Sequence, residues 1–264
     1  MKIAICIKQV VTREWQLRID DQKRWIRDQD ASFELNEPDA YALEEGLRLR
    51  EKHGGEVVVC CAGPARAAQV IREALARGAD RAIHVESDAL ATADASTVAR
   101  ALAGALREEA FDLVLTGLQS DDQGFGQVGV VLAERLGMPY ATIIMEVDAT
   151  PSAGSGQAAE GGGSLRVKRE LEGGWFQWMT LPLPALLTIQ SGINQLRYAT
   201  LKGIMAAKKK EIAKVAAPPG LASRQKVVSL YAPQKAKQTV MIGGSAADAA
   251  RELVKRLREE ARVL

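Results

Sequence analysis

From residue 2 to residue 147, short runs of consecutive apolar residues alternate with longer stretches in which apolar positions recur every three or four residues. The runs at 2–10, 56–62, 81–86, 111–117 and 141–147 predict strands. Their centres, such as Val57-Val58-Val59-Cys60-Cys61 and Leu113-Val114-Leu115, show no polar alternation. A strand that is apolar on successive positions is buried on both faces, as a parallel sheet requires. The intervening stretches 38–53, 65–77, 94–110 and 127–136 predict helices. In 94–110, Val98, Leu102 and Leu106 form one stripe with Ala101 and Ala105. In 38–53, Pro38 and Asp39 suit a first turn, Leu43 and Leu47 form the stripe, and Gly54-Gly55 ends it. Strand and helix alternating at this spacing predict right-handed crossovers and an α/β, doubly wound, mostly parallel sheet.

The remaining segments are less regular. Residues 17–28 read as a polar hairpin turning at Asp20-Asp21-Gln22-Lys23, and 150–164, rich in Gly, Ser and Ala, as a flexible loop tip. Segments 165–171 and 175–180 flank Glu172-Gly173-Gly174 as a second hairpin, and Pro182 and Pro184 lead into a strand at 185–190. This predicts an α/β domain over 1–205. Residues 208–238 are basic, contain proline and have too little apolar content for a core of their own, so an extended arm is expected. A terminal helix follows, with Ser245 and Asp248 as a capping box and Leu253, Val254, Leu257 and Ala261 on one face. The segment 206–264 either wraps a partner subunit or folds back on its own domain.

Charge removes one class of partner. The 264 residues carry 35 Lys and Arg against 33 Asp and Glu, without the basic excess of a nucleic-acid binder. No run of 18 apolar residues occurs, so no membrane insertion is expected, and Ile3-Ala4-Ile5-Cys6-Ile7-Lys8 reads as a strand rather than a leader. Cys6, Cys60 and Cys61 read as buried thiols in a reducing compartment, hence a cytoplasmic location. Two histidines and no CxxC predict no metal site.

Candidate chemistry lies in binding rather than catalysis. There is no GxSxG, Walker A loop, HExxH or GxGxxG, and no catalytic residue is assigned. His84, inside a strand, reads as a core histidine, and His53 as a favourable charge at a helix C-terminus. Polar and glycine residues cluster instead beyond strand ends, where open α/β sheets hold ligands. Cys6-Ile7-Lys8-Gln9 closes the first strand and Cys61-Ala62-Gly63-Pro64 the second. The fourth runs through Thr116, Gly117 and the amide- and glycine-rich 118–129 into a helix, whose first N–H groups suit a phosphate. Asp121 and Asp122 then suit ribose hydroxyls; the alternative is a tight turn with an aspartate helix cap. In a second cluster, Leu201, Ile204 and Met205 form one small apolar face, either core packing or a surface anchor for a protein partner.

Several motifs together resemble the β-subunit family of electron transfer flavoproteins. They are Leu196-Arg197-Tyr198-Ala199-Thr200-Leu201 followed by Ile204-Met205 and Lys208-Lys209-Lys210, the opening Ile5-Cys6-Ile7-Lys8-Gln9-Val10, Leu35-Asn36, Ala79-Asp80-Arg81-Ala82, and Arg169-Glu170-Leu171-Glu172-Gly173-Gly174. The resemblance implies a three-layer α/β fold of the adenine-nucleotide-binding type, a heterodimer with an α subunit, FAD held mainly by that partner, and a structural AMP in this subunit. It implies AMP contacts at Cys6, Asn36, Ala62, Gly63, Asp121, Asp122, Gly126, Gln127 and Val128. Here Gly126-Gln127-Val128-Gly129 stands where many members have Asn-Gln-Thr-Gly. Glu170 matches the glutamate that pairs with an α-subunit arginine near the flavin. Leu201 matches the leucine that anchors flavin dehydrogenases, with Arg197, Tyr198, Ile204 and Met205 expected beside it.

The implied activity is that of an electron carrier rather than an enzyme. It takes electrons from flavin dehydrogenases, such as the acyl-CoA dehydrogenases of fatty acid oxidation, and passes them to a membrane or other acceptor. The alternative within the family is an electron-bifurcating member with a second FAD in place of AMP. Rivals from other classes are a stand-alone ATP-binding stress or adenylating protein and a non-redox assembly scaffold.

Overall fold

A computed structural model describes residues 1–150, 163–233 and 239–264, in two compact units, 1–228 and 229–264. The first unit contains, in chain order, β1 (Lys2–Ile7), β2 (Gln9–Val11), β3 (Phe33–Leu35), α1 (Glu37–His53), β4 (Glu56–Gly63), α2 (Ala68–Arg77), β5 (Arg81–Glu86), α3 (Ala95–Leu106) and β6 (Leu113–Gly117). There follow α4 (Val128–Leu136), β7 (Tyr140–Thr150), β8 (Ser164–Glu170), β9 (Phe176–Pro182), β10 (Ala185–Ile189), α5 (Leu201–Ala207) and β11 (Ile212–Ala216). Nine strands form one sheet in the order β11-β5-β4-β1-β6-β10-β7-β8-β9, and β2 and β3 pair separately. Every neighbour in the large sheet is parallel except the β7–β8 and β8–β9 pairs.

The three layers follow from the strand period of two. Ile3, Ile5, Val57, Val59, Leu113 and Leu115 point to the side of Leu43 and Leu47 of α1 and Val70 and Ile71 of α2. Ala4, Cys6, Val58, Cys60 and Val114 point to the side of Leu102 and Leu106 of α3 and Leu132 and Ala133 of α4. Both faces of the central strands are therefore apolar, which is why their sequences show no alternation. In the β7–β8–β9 extension, β8 and β9 are the hairpin expected around Glu172-Gly173-Gly174. The expected loop at 150–164 falls mostly on residues outside those described.

Two departures have local causes. The run 2–10 is two strands, because the Lys8 N–H donates to Asp39 Oδ2 (2.8 Å) and the Asn36 N–H donates to the Lys8 carbonyl (3.0 Å), turning the chain off the sheet to pair with β3. The basic segment after Lys208 does not leave the domain at once: β11 adds to the sheet beside β5. Only Ile212 and Ala213 are half-buried in this edge strand, and Lys214 pairs with Glu86 (2.7 Å), so its composition reads as an arm.

Asp94 roots the chain that follows. It caps α3 by accepting the Thr97 N–H (2.7 Å), and its other oxygen accepts the N–H groups of Arg224 (2.6 Å) and Gln225 (3.1 Å). Burial pushes this carboxyl up, but the hydrogen bonds prevail and hold it at about 2. Replacing Asp94 with alanine should cost about 1–2 kcal/mol, the usual loss for an N-cap, and should speed trypsin cleavage after Arg224. An unchanged cleavage rate would show that 220–225 is held by other contacts. In the second unit, α6 (Ala246–Glu259) begins where Ser245 Oγ accepts the Asp248 N–H (3.2 Å), as the capping box predicts.

Candidate functional site

The order of connections creates a crevice. From β1 the chain proceeds through α1 and α2 to β4 and β5 on one side, then crosses by α3 to β6 on the other. Neighbouring strands whose connections diverge leave a gap beyond their carboxyl ends, the switch point at which such sheets take ligands. A cavity lies there, lined by Cys6, Ile7 and Lys8 after β1, Asn36 and Asp39 at the start of α1, Ala62 of β4, and Thr116 to Ser120 after β6. Its outer wall is Gln123, Phe125 and Gly126 to Gly129, leading into α4. An apolar wall of Leu90, Ala91, Ala93, Val98 and Leu102 comes from the β5–α3 connection and α3.

Asp39 holds the floor of this cavity together. Its Oδ2 accepts the Lys8 N–H and its Oδ1 the Gly117 N–H (2.9 Å), joining the ends of β1 and β6 through the first turn of α1. Burial pushes the Asp39 carboxyl up to about 7, and the two N–H donors limit the rise. Asn36 shapes the wall: its Nδ2 donates to the Gln119 carbonyl (3.1 Å) and its Oδ1 accepts the Asp121 N–H (2.9 Å). Gly129 is required by contact, because a Cβ there would lie 2.6 Å from Thr188 Cγ2 and 2.7 Å from Thr116 Oγ1.

Of the residues expected to touch a nucleotide, Cys6, Asn36, Ala62, Gly126, Gln127 and Val128 line the cavity. Gly63, Asp121 and Asp122 are not part of its lining. The Gly63 carbonyl faces His84 Nε2 (3.2 Å), and His84 itself is fully buried in the core. Asp121 lies 3.2 Å from the Arg13 guanidinium and Asp122 2.7 Å from Lys8 Nζ, so both carboxylates are turned toward cations. Sequence reasoning passed over Asp39, taken only as a helix-start residue, and the 90–98 wall. That wall lies after the third strand of the α/β series and obeys the same strand-end rule, but it carries small apolar residues rather than glycine or charge. Burial raises the thiol pKa of all three cysteines, leaving them poor nucleophiles. Among the described residues, no group of three or more His, Cys, Asp and Glu side chains is placed to hold a metal ion.

The second candidate surface is at α5. Thr200 Oγ1 caps it by accepting the Gly203 N–H (3.0 Å). Arg72 Nη1 donates to the Ala207 and Lys210 carbonyls (2.6 and 2.7 Å) at its far end. A Cβ on Gly203 would collide with the Ala76 carbonyl of α2, so glycine lets the two helices touch. Held this way, α5 exposes Leu201 (84%), Ile204 and Met205, and Tyr198 (93%) is exposed in the turn before it. The face is therefore surface rather than core. Arg197 differs from its neighbours, being bound to Glu44 and Glu51 of α1 (2.8 and 2.6 Å) and so turned inward. Glu170, at the end of β8, is half-buried and accepts from Gln190 Nε2 (2.9 Å).

No helix among the described residues is long and apolar enough to cross a membrane. A family model described as "Electron transfer flavoprotein domain" matches residues 24–219. The chain is 35% identical over 270 residues to an electron transfer flavoprotein subunit beta of Methylophilus methylotrophus, covering 98% of each chain. It is 33% identical to the Bacillus subtilis subunit of the same name over 276 residues and the full length of both. It is 35% identical over 270 residues and both full lengths to a mitochondrial electron transfer flavoprotein subunit beta of Oryza sativa subsp. japonica.

Proposed function

The chain belongs to the electron transfer flavoprotein family as a β subunit, and on that premise we propose that its cavity holds AMP while the chain helps an α subunit enclose the FAD. The observation that carries this reading is the composition of the cavity. An apolar wall of Leu90, Ala93, Val98 and Leu102 suits a purine, and opposite it an amide-rich loop runs into the N-terminus of α4, whose N–H groups suit a phosphate. Gln127 adds a side-chain amide to the lining, and Asn36 braces the loop from below by bonding its backbone at Gln119 and Asp121.

FAD, held mainly by the α subunit, supplies reversible electron storage when bound. This chain's contribution is placement. Glu170, steadied by Gln190, offers a carboxylate to an α-subunit arginine, a charge pair that orients one domain against another. The exposed apolar residues Leu253 and Val254 of α6 suit the part of an arm that wraps the partner. The buried, free cysteines suit a reducing compartment such as the cytoplasm.

The exposed α5 face is the docking site for flavin dehydrogenases such as the acyl-CoA dehydrogenases, with Leu201 as its anchor. Replacing Leu201 with alanine should weaken docking by about 2 kcal/mol, the scale of a hot-spot residue. It should leave the thermal midpoint unchanged, since the side chain is exposed. The dependence of electron-transfer rate on dehydrogenase concentration reads this, and an unshifted half-saturation point would exclude Leu201 as the anchor.

The test of the whole reading is co-expression with the α subunit, acid release of bound nucleotides and their identification by chromatography. Equimolar AMP and FAD are expected. Two equivalents of FAD without AMP would make the chain part of a bifurcating flavoprotein, whereas a stable complex with neither would end the electron-transfer reading.

A further inference from the structure

The loop 119–126 forms the outer wall of the cavity, and cations from the stretch after β1 bind it. Lys8 Nζ lies 2.7 Å from Asp122 Oδ1 and donates also to Gln123 Oε1 (3.1 Å) and Ser120 Oγ (3.3 Å). The Arg13 guanidinium lies 3.2 Å from Asp121 Oδ2 and pairs with Glu37 as well. Lys8 is unusually well rooted for a surface lysine. Its N–H is held by Asp39 and its carbonyl by the Asn36 N–H, so the side chain springs from a fixed point at the cavity floor.

We propose that Lys8 and Arg13 form a clasp that holds the 119–126 loop over the bound nucleotide, with Lys8–Asp122 as its main bond, so that these pairs set the rate of nucleotide release. The proposal rests on the AMP reading above. Three features support it. The ammonium of Lys8 is directed to three acceptors of the loop, two of them neutral, which is the arrangement of a tether. The two carboxylates of the loop engage the two cations rather than lining the cavity. The clasp also joins loop to strand end on the same side as Asn36, whose amide grips the backbone at Gln119 and Asp121. Opening the loop breaks these contacts together while leaving the sheet intact, the character of a local opening rather than a global one. Because the charges are partly exposed, added salt weakens the clasp.

The experiment uses the heterodimer with its α subunit and follows exchange of bound nucleotide for isotopically labelled AMP, with the thermal midpoint recorded alongside. Lys8→Met and Asp122→Asn should each speed exchange by about tenfold, a change equal to 1.4 kcal/mol. The double variant should exchange no faster than either single one. Salt should accelerate exchange in the native protein and lose much of that effect in the variants, which keep only the Arg13–Asp121 pair, and Lys8→Arg should restore slow exchange. These readouts separate a clasp from a general loss of stability, which would move the midpoint and keep the salt dependence. If Lys8→Met speeds exchange and Asp122→Asn does not, Lys8 meets the phosphate directly and the clasp is overturned. Equal rates in all proteins overturn it too. A heterodimer that contains no nucleotide overturns the AMP reading and the clasp with it, so the two failures are told apart.

Discussion

Replacing Arg197 with alanine should lower the stability of the chain by about 2–3 kcal/mol, the scale of losing charged hydrogen bonds to a largely buried carboxylate. The Glu44 side chain on α1 is only 5% exposed. It accepts from Arg197 Nε (2.8 Å), Nη2 (3.0 Å) and the Arg197 backbone N–H (3.2 Å), leaving Arg48 Nε (2.9 Å) as its other cation. The same guanidinium reaches Glu51 through Nη1 (2.6 Å) and Nη2 (3.2 Å). Without it a buried carboxylate keeps one cation, and the 194–200 turn keeps only the ties to α1 made by Asn194, the Gln195 carbonyl and the residue-197 N–H. Lysine should not restore the stability, because a single ammonium cannot serve two carboxylates as a planar fork does.

The effect should depend on pH in a defined direction. Burial pushes the Glu44 carboxyl up, but the hydrogen bonds from Arg197 and Arg48 outweigh burial and hold it below its ordinary 4.5. A carboxyl lowered on folding contributes stability above its unfolded value, and that contribution fades as pH falls through the folded value. The native protein should therefore lose the Glu44 contribution as pH falls below about 4.5, and Arg197→Ala should show a shallower loss there, the two curves approaching each other in acid. Urea midpoints at neutral pH and through the acid range measure this. Equal midpoints at pH 7 would show that Glu44 is satisfied without Arg197. The exposed Leu201, four residues on, should show the opposite pattern, with docking affected and stability not.

Gly117→Ala is expected to be comparably costly, about 2–3 kcal/mol from forcing an extra carbon into a packed site. A Cβ at Gly117 would lie 2.5 Å from Asp39 Oδ1, 2.6 Å from the Pro38 carbonyl carbon and 2.7 Å from the Asp39 nitrogen. Two of these are backbone atoms of α1, so relief requires the helix to move off the end of β6. That movement would part Asp39 from the Gly117 N–H and open the cavity floor, so nucleotide content should fall along with the urea midpoint. Gly63→Ala is the matched control. Its Cβ would meet only Ala67 Cβ, at 3.6 Å, an ordinary contact. If the two substitutions cost the same, the close approach of α1 to β6 is not what Gly117 provides.

The two glycines show where reading from the chain stops. Both sit at the end of a central strand and both invite the idea that a ligand approaches closely. Gly117 is required by a helix that approaches from far along the chain, whereas Gly63 has room beside it. Arg197 makes the same point for charge. In the motif Leu196-Arg197-Tyr198-Ala199-Thr200-Leu201 nothing separates the residue that turns inward from those that turn out, because its partners Glu44 and Glu51 lie on α1. Asp121 and Asp122 were legible as ligand-like carboxylates, yet their cations come from residues 13 and 8.

The pattern of the chain was enough for the central strands, the helices between them, the doubly wound order and the strand ends at which a ligand would sit. Those features depend on burial period and on glycine, proline and capping residues, which are local properties of a sequence. The motifs carried the family as well. What required the folded chain was the use of each polar side chain: Asp39 as the tie across the cavity floor, Arg197 as a strut, and Lys8 and Arg13 as cations on the 119–126 loop. It also required the folded chain to show β11 as a strand, since its place beside β5 rests on the backbone ladder from Ile212–Ala82 to Ala216–Glu86 and on a pair between Lys214 and Glu86 rather than on buried side chains. The physical reason is common to all of them. A polar group's role is set by the partner it meets, and here those partners lie from 31 to 153 residues away along the chain.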